Sequence, residues 1–539
     1  MHERLGSFAR RKPVVILAAL LLGFVLLQFS LPLRTAIQIG ADEGFELAKA
    51  TLCLHGYKLY TEVWNDQPPL HTFLITQILK HLSPSVLGPR LLTSVFAALL
   101  LGSIFIISLR ISGLFVAALA TALLIASPGF IELSASCMLE IPGLATAVAA
   151  LCLLQGAGRT RWRIAEVISG ILFGFAFQVK LVNIILLPLA ALIIWMRYRT
   201  ITAPLQPATD TVRGAETRRV GNAVAPNPRR SEAGGVRAVK GGNSAAIRRW
   251  FPKNLAVPLF IFVASITISL AIIDYGIDRG AFLLNFQQSW FSHFAPAKSF
   301  EYGSPGDHSF DWSILLKNWD TTIPAIIGII LLIEQRGKTP ATILPLAWLS
   351  LVLIVFARHK PWWSYYYIHN AIPLCWCAAI GVAATAEWVH RRQHLGMSLA
   401  LVAFGIGAVS WAGARICLQI SGVRHAPQTY RSLVLREIGR LKPFARFIYA
   451  DQTVYSFHSG IPMPPNLAVL PMKRFWSGEM SNARVAAEMW RAKPEVVLLR
   501  NDTREVPFQD LLDAEYRVVY QDSDHRLCTK KSLAKAAGY

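Results

Sequence analysis

Asp42 and Glu43 stand side by side just after the first apolar run of the chain, heading a stretch in which Phe45, Ala48 and Leu52 recur at helical spacing. A carboxylate where a membrane span meets an outer loop is costly unless it pairs or reacts. One within reach of a hydroxyl can act as a general base, although an acid in a first helical turn also offsets the dipole. Asp66 lies in Trp64-Asn-Asp-Gln-Pro-Pro-Leu70, where two prolines fix the backbone beside a carboxylate and an indole. Glu140 opens an apolar run immediately before Ile141-Pro142, a position from which it can cap the helix or face a cavity. Lys180 separates two apolar runs, where an ammonium can hold a phosphate or snorkel. His293 follows Gln287-Gln-Ser-Trp-Phe-Ser, and His369 closes the aromatic run from Trp362. Beside that run, Arg358, His359 and Lys360 form a basic cluster suited to an anionic ligand, while the aromatics themselves suit an interface belt.

What must position these groups is a membrane scaffold. Of 539 residues 53% are hydrophobic and 16% charged, and the apolar residues fall in runs long enough to cross about 30 Å of hydrocarbon. Eleven spans are expected: Pro13 to Leu33, Arg90 to Leu109, Gly113 to Pro128, Glu140 to Leu154, Ile164 to Gln178, Leu181 to Trp195, Asn254 to Ile273, Thr321 to Ile333, Pro340 to Phe356, Asn370 to Glu387 and Gly396 to Ile416. The first follows Arg4, Arg10, Arg11 and Lys12 but has no small-residue cleavage site, so it reads as a retained helix. With the N-terminus inside, Arg110, Arg159 to Arg163, Arg197 to Lys253, Arg336 to Lys338 and His390 to His394 all fall on the cytoplasmic side, as the positive-inside rule requires. The net charge of +22 is therefore a topology signal and not a nucleic-acid footprint. An odd number of spans places the C-terminal segment outside, in a cell inner membrane.

Between the spans, residues 34–89 form a first outer loop with two amphipathic helices expected along the membrane surface, the second starting after Pro68-Pro69. Residues 201–242, rich in Gly, Pro, Ala and Arg without periodicity, read as a disordered basic cytoplasmic insert. The transmembrane domain is expected over 1–420. Beyond it, over 421–539, strands at Arg446 to Ala450, Glu495 to Leu499, Tyr516 to Tyr520 and Arg526 to Thr529 alternate in part with helices near Asn482 to Arg491 and Phe508 to Ala514, which makes a small α/β outer domain. Seven scattered cysteines show no metal-type spacing, though Cys53 and Cys137 share the outer side and can pair. No phosphate-cradling loop, dinucleotide fingerprint or HExxH is present, which argues against ATP-driven transport, nicotinamide chemistry and zinc proteolysis.

In order and spacing, Asp42-Glu43 after the first span, Asp66-Gln67 before Pro-Pro-Leu, Pro89-Arg90-Leu, Glu140-Ile-Pro and Gln178-Val-Lys180 resemble the GT-C superfamily of polytopic glycosyltransferases. The likeness is to its bacterial branch of lipid A aminoarabinose transferases and rhizobial core-sugar transferases, with protein O-mannosyltransferases more distant. It runs from Gly40 to Pro188 and recurs weakly from Tyr365 to Pro373. The resemblance implies a polyprenyl-phosphate sugar donor, an acceptor that is a lipid, a glycan or a protein, and inverting transfer among membrane lipids. It implies Asp42 as catalytic base with Glu43 beside it, Asp66 and Glu140 positioning the acceptor or a divalent cation, and Lys180 neutralising the departing phosphate; His293 joins the positioning group, and Arg358, Lys360 and His369 the donor-phosphate group, on their residue types and outer-loop places. Two departures stand out: Gln67 replaces a lysine usual before the prolines, and Glu140 an aspartate. The competing reading, a transporter or flippase of a lipid-linked glycan, predicts inverted repeats and ionisable groups deep in the spans. The sequence shows no clear repeat, and its candidate acids lie at outer edges.

Overall fold

The structure, a computed structural model, describes residues 2–40, 42–82, 84–156, 161–202, 255–279, 281–290, 297–335, 342–393, 395–426, 432–502 and 506–539. In chain order come α1 (His2–Phe29), α2 (Glu43–Leu54), α3 (Leu70–His81), α4 (Leu87–Ser112), α5 (Leu114–Ile125), the short α6 (Phe130–Ser134), α7 (Glu140–Gly156), α8 (Trp162–Val179) and, after a 3-10 segment at Leu181–Leu186, α9 (Leu187–Thr202). The helices Ala256–Ile277, Trp319–Gln335, Ile343–Arg358, Tyr367–Arg392 and Leu395–Arg424 complete the bundle.

Among the described residues, seven helices are long and apolar enough to cross a membrane, and Leu114–Ile125, Glu140–Gly156 and Ile343–Arg358 are shorter apolar helices. Each of the eleven expected spans coincides with a helix, Trp319–Gln335 included. The protein is a multi-span helical membrane protein, and its helices satisfy their own backbone polar groups, as hydrocarbon demands. α7 is the central helix, buried from Glu140 through Cys152. Leu395–Arg424 lies at the periphery instead, with Leu399, Val402, Ile406, Val409 and Leu418 exposed where lipid would cover them.

The two helices of the first outer loop form as the sequence suggests, but α2 is not a surface helix. Its residues Glu43, Gly44 and Glu46 to Leu52 are buried, because α3 covers one side and helix Val454–Ser459 of the C-terminal region covers another. Apolar side chains alone predicted a single buried stripe. The buried ion pairs described below let the polar side go inside as well.

The outer domain follows helix Leu433–Leu441, which buries Val434, Leu435, Ile438 and Leu441 and leaves Arg436 and Arg440 exposed. Its strands are β1 (Ile448–Ala450), β2 (Val496–Arg500), β3 (Tyr516–Gln521) and β4 (His525–Lys530), in the sheet order β1-β2-β4-β3. β1 pairs with β2 in parallel, Ile448 opposite Val496, which requires a crossover. Helices Val454–Ser459 and Asn482–Ala492 lie within it. β4 then runs antiparallel to both β2 and β3. Helix Leu395–Arg424 passes through the expected boundary at residue 420, so the last span leads straight toward this domain. Of the expected basic insert, residues 203–242 lie outside the described residues. Cys53 and Cys137 are free thiols.

Candidate active site

Asp42 occupies the N-cap of α2 without bonding that helix through its side chain. Its carboxylate Oδ2 accepts a hydrogen bond from the Tyr365 hydroxyl at 3.0 Å. Partial burial pushes its pKa up to about 6, and the neighbouring Glu140 carboxylate pushes the same way. Lys180 and the Tyr365 bond pull against that rise, and Asp66 adds a weaker upward push. Asp42, Glu140, Lys180 and Asp66 therefore share one electrostatic neighbourhood, although they come from four separate segments of the chain.

Lys180 sits in extended backbone between α8 and the 3-10 segment. Its ammonium pairs with Glu140 Oε1, both side chains being almost fully buried, and lies 4.9 Å and 5.0 Å from the ring centroids of Tyr365 and Tyr366. The two π faces favour a cation there. Burial works against the ammonium, but the Glu140 carboxylate overrides it and holds the Lys180 pKa above its ordinary value. Gly143, one turn into α7, makes this close packing feasible: a Cβ there would lie 2.4 Å from Asn183 Nδ2 and 3.4 Å from Lys180 Cβ. Glu140 Oε2 is buried without a hydrogen-bond partner among the described residues, so one acceptor oxygen stays open beside the ammonium.

Glu43 faces elsewhere. Arg90 binds it through Nε and Nη2, each at 2.8 Å, while the backbone amides of Ile39 and Cys137 donate to it at 2.9 Å and 3.0 Å. Arg90 Nη1 also donates to the carbonyls of Leu33 and Ala36, which ties the end of the first span to α2 and α4. Burial alone would raise the Glu43 pKa, but the Arg90 guanidinium holds it below its ordinary value. Expected beside Asp42 in the chemistry, Glu43 instead has its carboxylate occupied by structural bonds.

A second buried network braces the same helix. Lys49 Nζ donates to Glu46 Oε1 at 2.6 Å and to Asn65 Oδ1 at 2.9 Å, and the Thr72 hydroxyl donates to Glu46 Oε2 at 3.2 Å. Asn65 Nδ2 and the Tyr60 hydroxyl in turn donate to the Gln67 carbonyl at 2.7 Å and 2.8 Å, fixing the backbone just before the prolines. That places Asp66, whose Oδ2 lies 3.4 Å from Lys473 Nζ of the outer domain. Trp64 Nε1 donates to Glu479 at 2.5 Å, and the Arg474 guanidinium lies 5.5 Å from the Trp64 ring centroid. The segment around helix Met472–Trp476 thus clasps the proline loop.

The remaining expected residues divide. Arg358 and Lys360 are exposed, whereas His359 between them packs near Phe356 and Tyr366. Burial, and then the cations Lys180 and Lys473, depress the His359 pKa. His369, expected at the donor phosphate, is 1% exposed inside helix Tyr367–Arg392 and packs on Phe356; neither ring nitrogen has a partner among the described residues. Alternation of inward and outward positions explains the exchange: His359 points in where Arg358 and Lys360 point out. His293 lies outside the described residues. Tyr365, Tyr366 and Lys473 are the contributors that residue-type reasoning passed over, and His359, named only as part of the basic cluster, is its inward-turned member.

Among the described residues, the one group of three ligand atoms close enough to share an ion is Asp522, Asp524 and His525 at the β3–β4 turn. Near Asp42 the positive charge is already present as Lys180.

Comparisons with known proteins bear on the fold and on one segment of the chain. Residues 66–206 match the family described as dolichyl-phosphate-mannose-protein mannosyltransferase. No curated protein sequence matches the chain significantly. Among solved structures, ArnT from Cupriavidus metallidurans in the apo state superposes with a TM-score of 0.59 at 14% identity, covering 97% of this chain and 99% of that one. The same protein bound to undecaprenyl phosphate gives 0.56 at 14% identity, over 96% and 98%. The archaeal oligosaccharyltransferase AglB from Archaeoglobus fulgidus, in complex with an inhibitory peptide and a dolichol-phosphate, gives 0.54 at 11% identity, over 92% and 70%. The chain shares the fold of ArnT and AglB, and residues 66–206 carry the mannosyltransferase family match.

Proposed function

We propose that this protein transfers a sugar from a polyprenyl-phosphate carrier to an acceptor hydroxyl at the outer face of the cytoplasmic membrane. The observation that carries the reading is the pairing of a basic, incompletely bonded carboxylate, Asp42, with a buried ammonium, Lys180, held by Glu140 and two tyrosines. Asp42 takes the acceptor proton as the acceptor oxygen attacks the anomeric carbon. The bond from that carbon to the phosphate oxygen breaks, and the lipid phosphate departs with the electron pair. Lys180 meets the charge that develops on the leaving oxygens. Direct displacement of this kind inverts the anomeric centre.

The donor class is supported by the undecaprenyl phosphate and dolichol-phosphate bound in two proteins of the same fold. The acceptor is a lipid, a glycan or a peptide, since the related structures include a complex with an acceptor peptide. Asp66, clamped by Lys473, and the open oxygen of Glu140 are the groups suited to position it. Arg358 and Lys360, exposed beside the aromatic run, are suited to meet the donor phosphate on its approach. The excess of Lys and Arg at the expected inner turns supports an N-terminus in the cytoplasm and a sheet domain outside.

The test is transfer of radiolabel from a polyprenyl-phosphate sugar to membrane extracts, comparing wild type with Asp42→Asn. A loss of roughly 10²- to 10⁴-fold is expected for removal of a general base. Equal transfer by the two proteins would remove Asp42 from this role.

A further inference from the structure

At the far end of α2 from Asp42 lies a cleft of about 310 Å³ between the first outer loop and the outer domain. Twelve residues of helix separate the two ends, roughly 18 Å at 1.5 Å per residue. The cleft is therefore distinct from the candidate reaction site and does not depend on the transferase reading. His55, Tyr57, Lys442, Arg446 and Phe447 line it, and no carboxylate does.

Among the described residues many cations of the domain are ion-paired, though Arg517, Arg526 and Lys535 are not. Lys473 pairs with Asp66, Arg491 with Glu488, Lys493 with Glu515, Arg500 with Asp502 and Lys530 with Glu495. The exposed side chains of Lys442 and Arg446 make no ion pair or hydrogen bond among the described residues: the Arg446 guanidinium stacks on Phe447, 4.9 Å from its ring centroid, while the Arg446 backbone amide donates to Glu495 Oε2 at 3.0 Å. Room for the Lys442 ammonium comes from Gly460, where a Cβ would lie 2.8 Å from Nζ. His55 donates from Nδ1 to the Thr51 carbonyl at 2.9 Å, which leaves Nε2 as its uncommitted nitrogen. Two unpaired cations and an imidazole converging without a carboxylate match a multiply charged oxyanion, for which a single carboxylate would be too small a partner.

We infer that this cleft binds a phosphate-bearing group, either a lipid headgroup or a soluble phosphate ester, through Lys442, Arg446 and His55. The test is calorimetric titration of the purified full-length protein in detergent with inorganic pyrophosphate. Wild type is expected to bind saturably at one site, and Lys442→Ala/Arg446→Ala to bind at least tenfold more weakly. The control Arg517→Ala/Lys535→Ala removes the same net charge from two exposed positions elsewhere on the domain and should bind as wild type does. His55→Ala is a second, milder probe, expected to weaken binding severalfold. Thermal midpoints close to wild type confirm that the variants fold. No saturable binding by wild type, or equal weakening in the cleft and control variants, overturns the site. Reconstitution into phosphatidylcholine vesicles with or without phosphatidylglycerol identifies the source: displacement of pyrophosphate by phosphatidylglycerol means a headgroup, and undisturbed binding means a soluble phosphate.

Discussion

The head of α2 presents two carboxylates, one facing the Arg90 side of the molecule and one facing the Lys180 side, and their surroundings differ in a single respect that decides their chemistry. Glu43 receives four hydrogen bonds, two from Arg90 and two from backbone amides. Asp42 receives one, from a tyrosine. Both lose water on folding, which raises a carboxyl pKa. On the Arg90 side the bonds more than compensate, and the acid stays ionised and spent. On the Lys180 side they do not, and the carboxylate keeps an appetite for a proton near pH 6. Adjacent residues of nearly identical chemistry thus become a bracket and a proposed base according to how many donors reach them.

This contrast can be broken from either side. The largest effect is expected for Arg90→Ala, which strands a fully buried carboxylate and three formerly bonded carbonyls. Breaking a buried pair costs about 3–5 kcal/mol, so thermal unfolding in detergent should show a large fall in midpoint; a midpoint near wild type would refute the bracket role. Next comes Lys180→Met, expected to lower transfer by roughly 10²- to 10³-fold, as loss of one charge-stabilising donor does. Lys180→Met also strands Glu140, so the double variant with Glu140→Gln should recover stability without recovering transfer. Recovery of both would show that Lys180 serves only to neutralise Glu140.

A smaller and sharper effect concerns pH. Asp42 must be ionised to accept a proton, so transfer should fall as pH drops through about 6 and level off above it. The same raised pKa means that ionising Asp42 costs the folded state, so its effect on stability runs the other way, with a loss as pH rises from 3.8 toward 6. A rate profile without an acid limb in that region would point to a different base. The smallest effect is expected for Lys473→Ala, since a partly exposed pair is worth about 0–1 kcal/mol. Its signature should be a higher KM for acceptor with little change in kcat.

Much of the scaffold was legible in the sequence. Uninterrupted apolar runs located the spans, the prolines at 68 and 69 located the start of α3, and β-branched clusters located all four strands. Asp42, Asp66, Glu140 and Lys180 were legible as ionisable groups at span edges. Which of them pair was not, because the partners lie far apart along the chain: Tyr365 is 323 residues from Asp42, and Lys473 is 407 residues from Asp66. The bracing of Glu43 was hidden for the same reason, its partner Arg90 lying 47 residues away in Pro89-Arg-Leu. His359 was overshadowed by its more strongly charged neighbours, since residue type says nothing of which side chain turns inward.

The clasp of Lys473 and Glu479 on the proline loop has a consequence for biosynthesis. The loop carrying Asp66 emerges early, but its clamp is encoded near the end of the chain, beyond the last span. While the ribosome is still producing the bundle, the loop has no such clamp. Only after the terminal domain has been made and folded can that clamp on Asp66 close, so the timing of synthesis itself keeps a half-made protein from presenting a finished site.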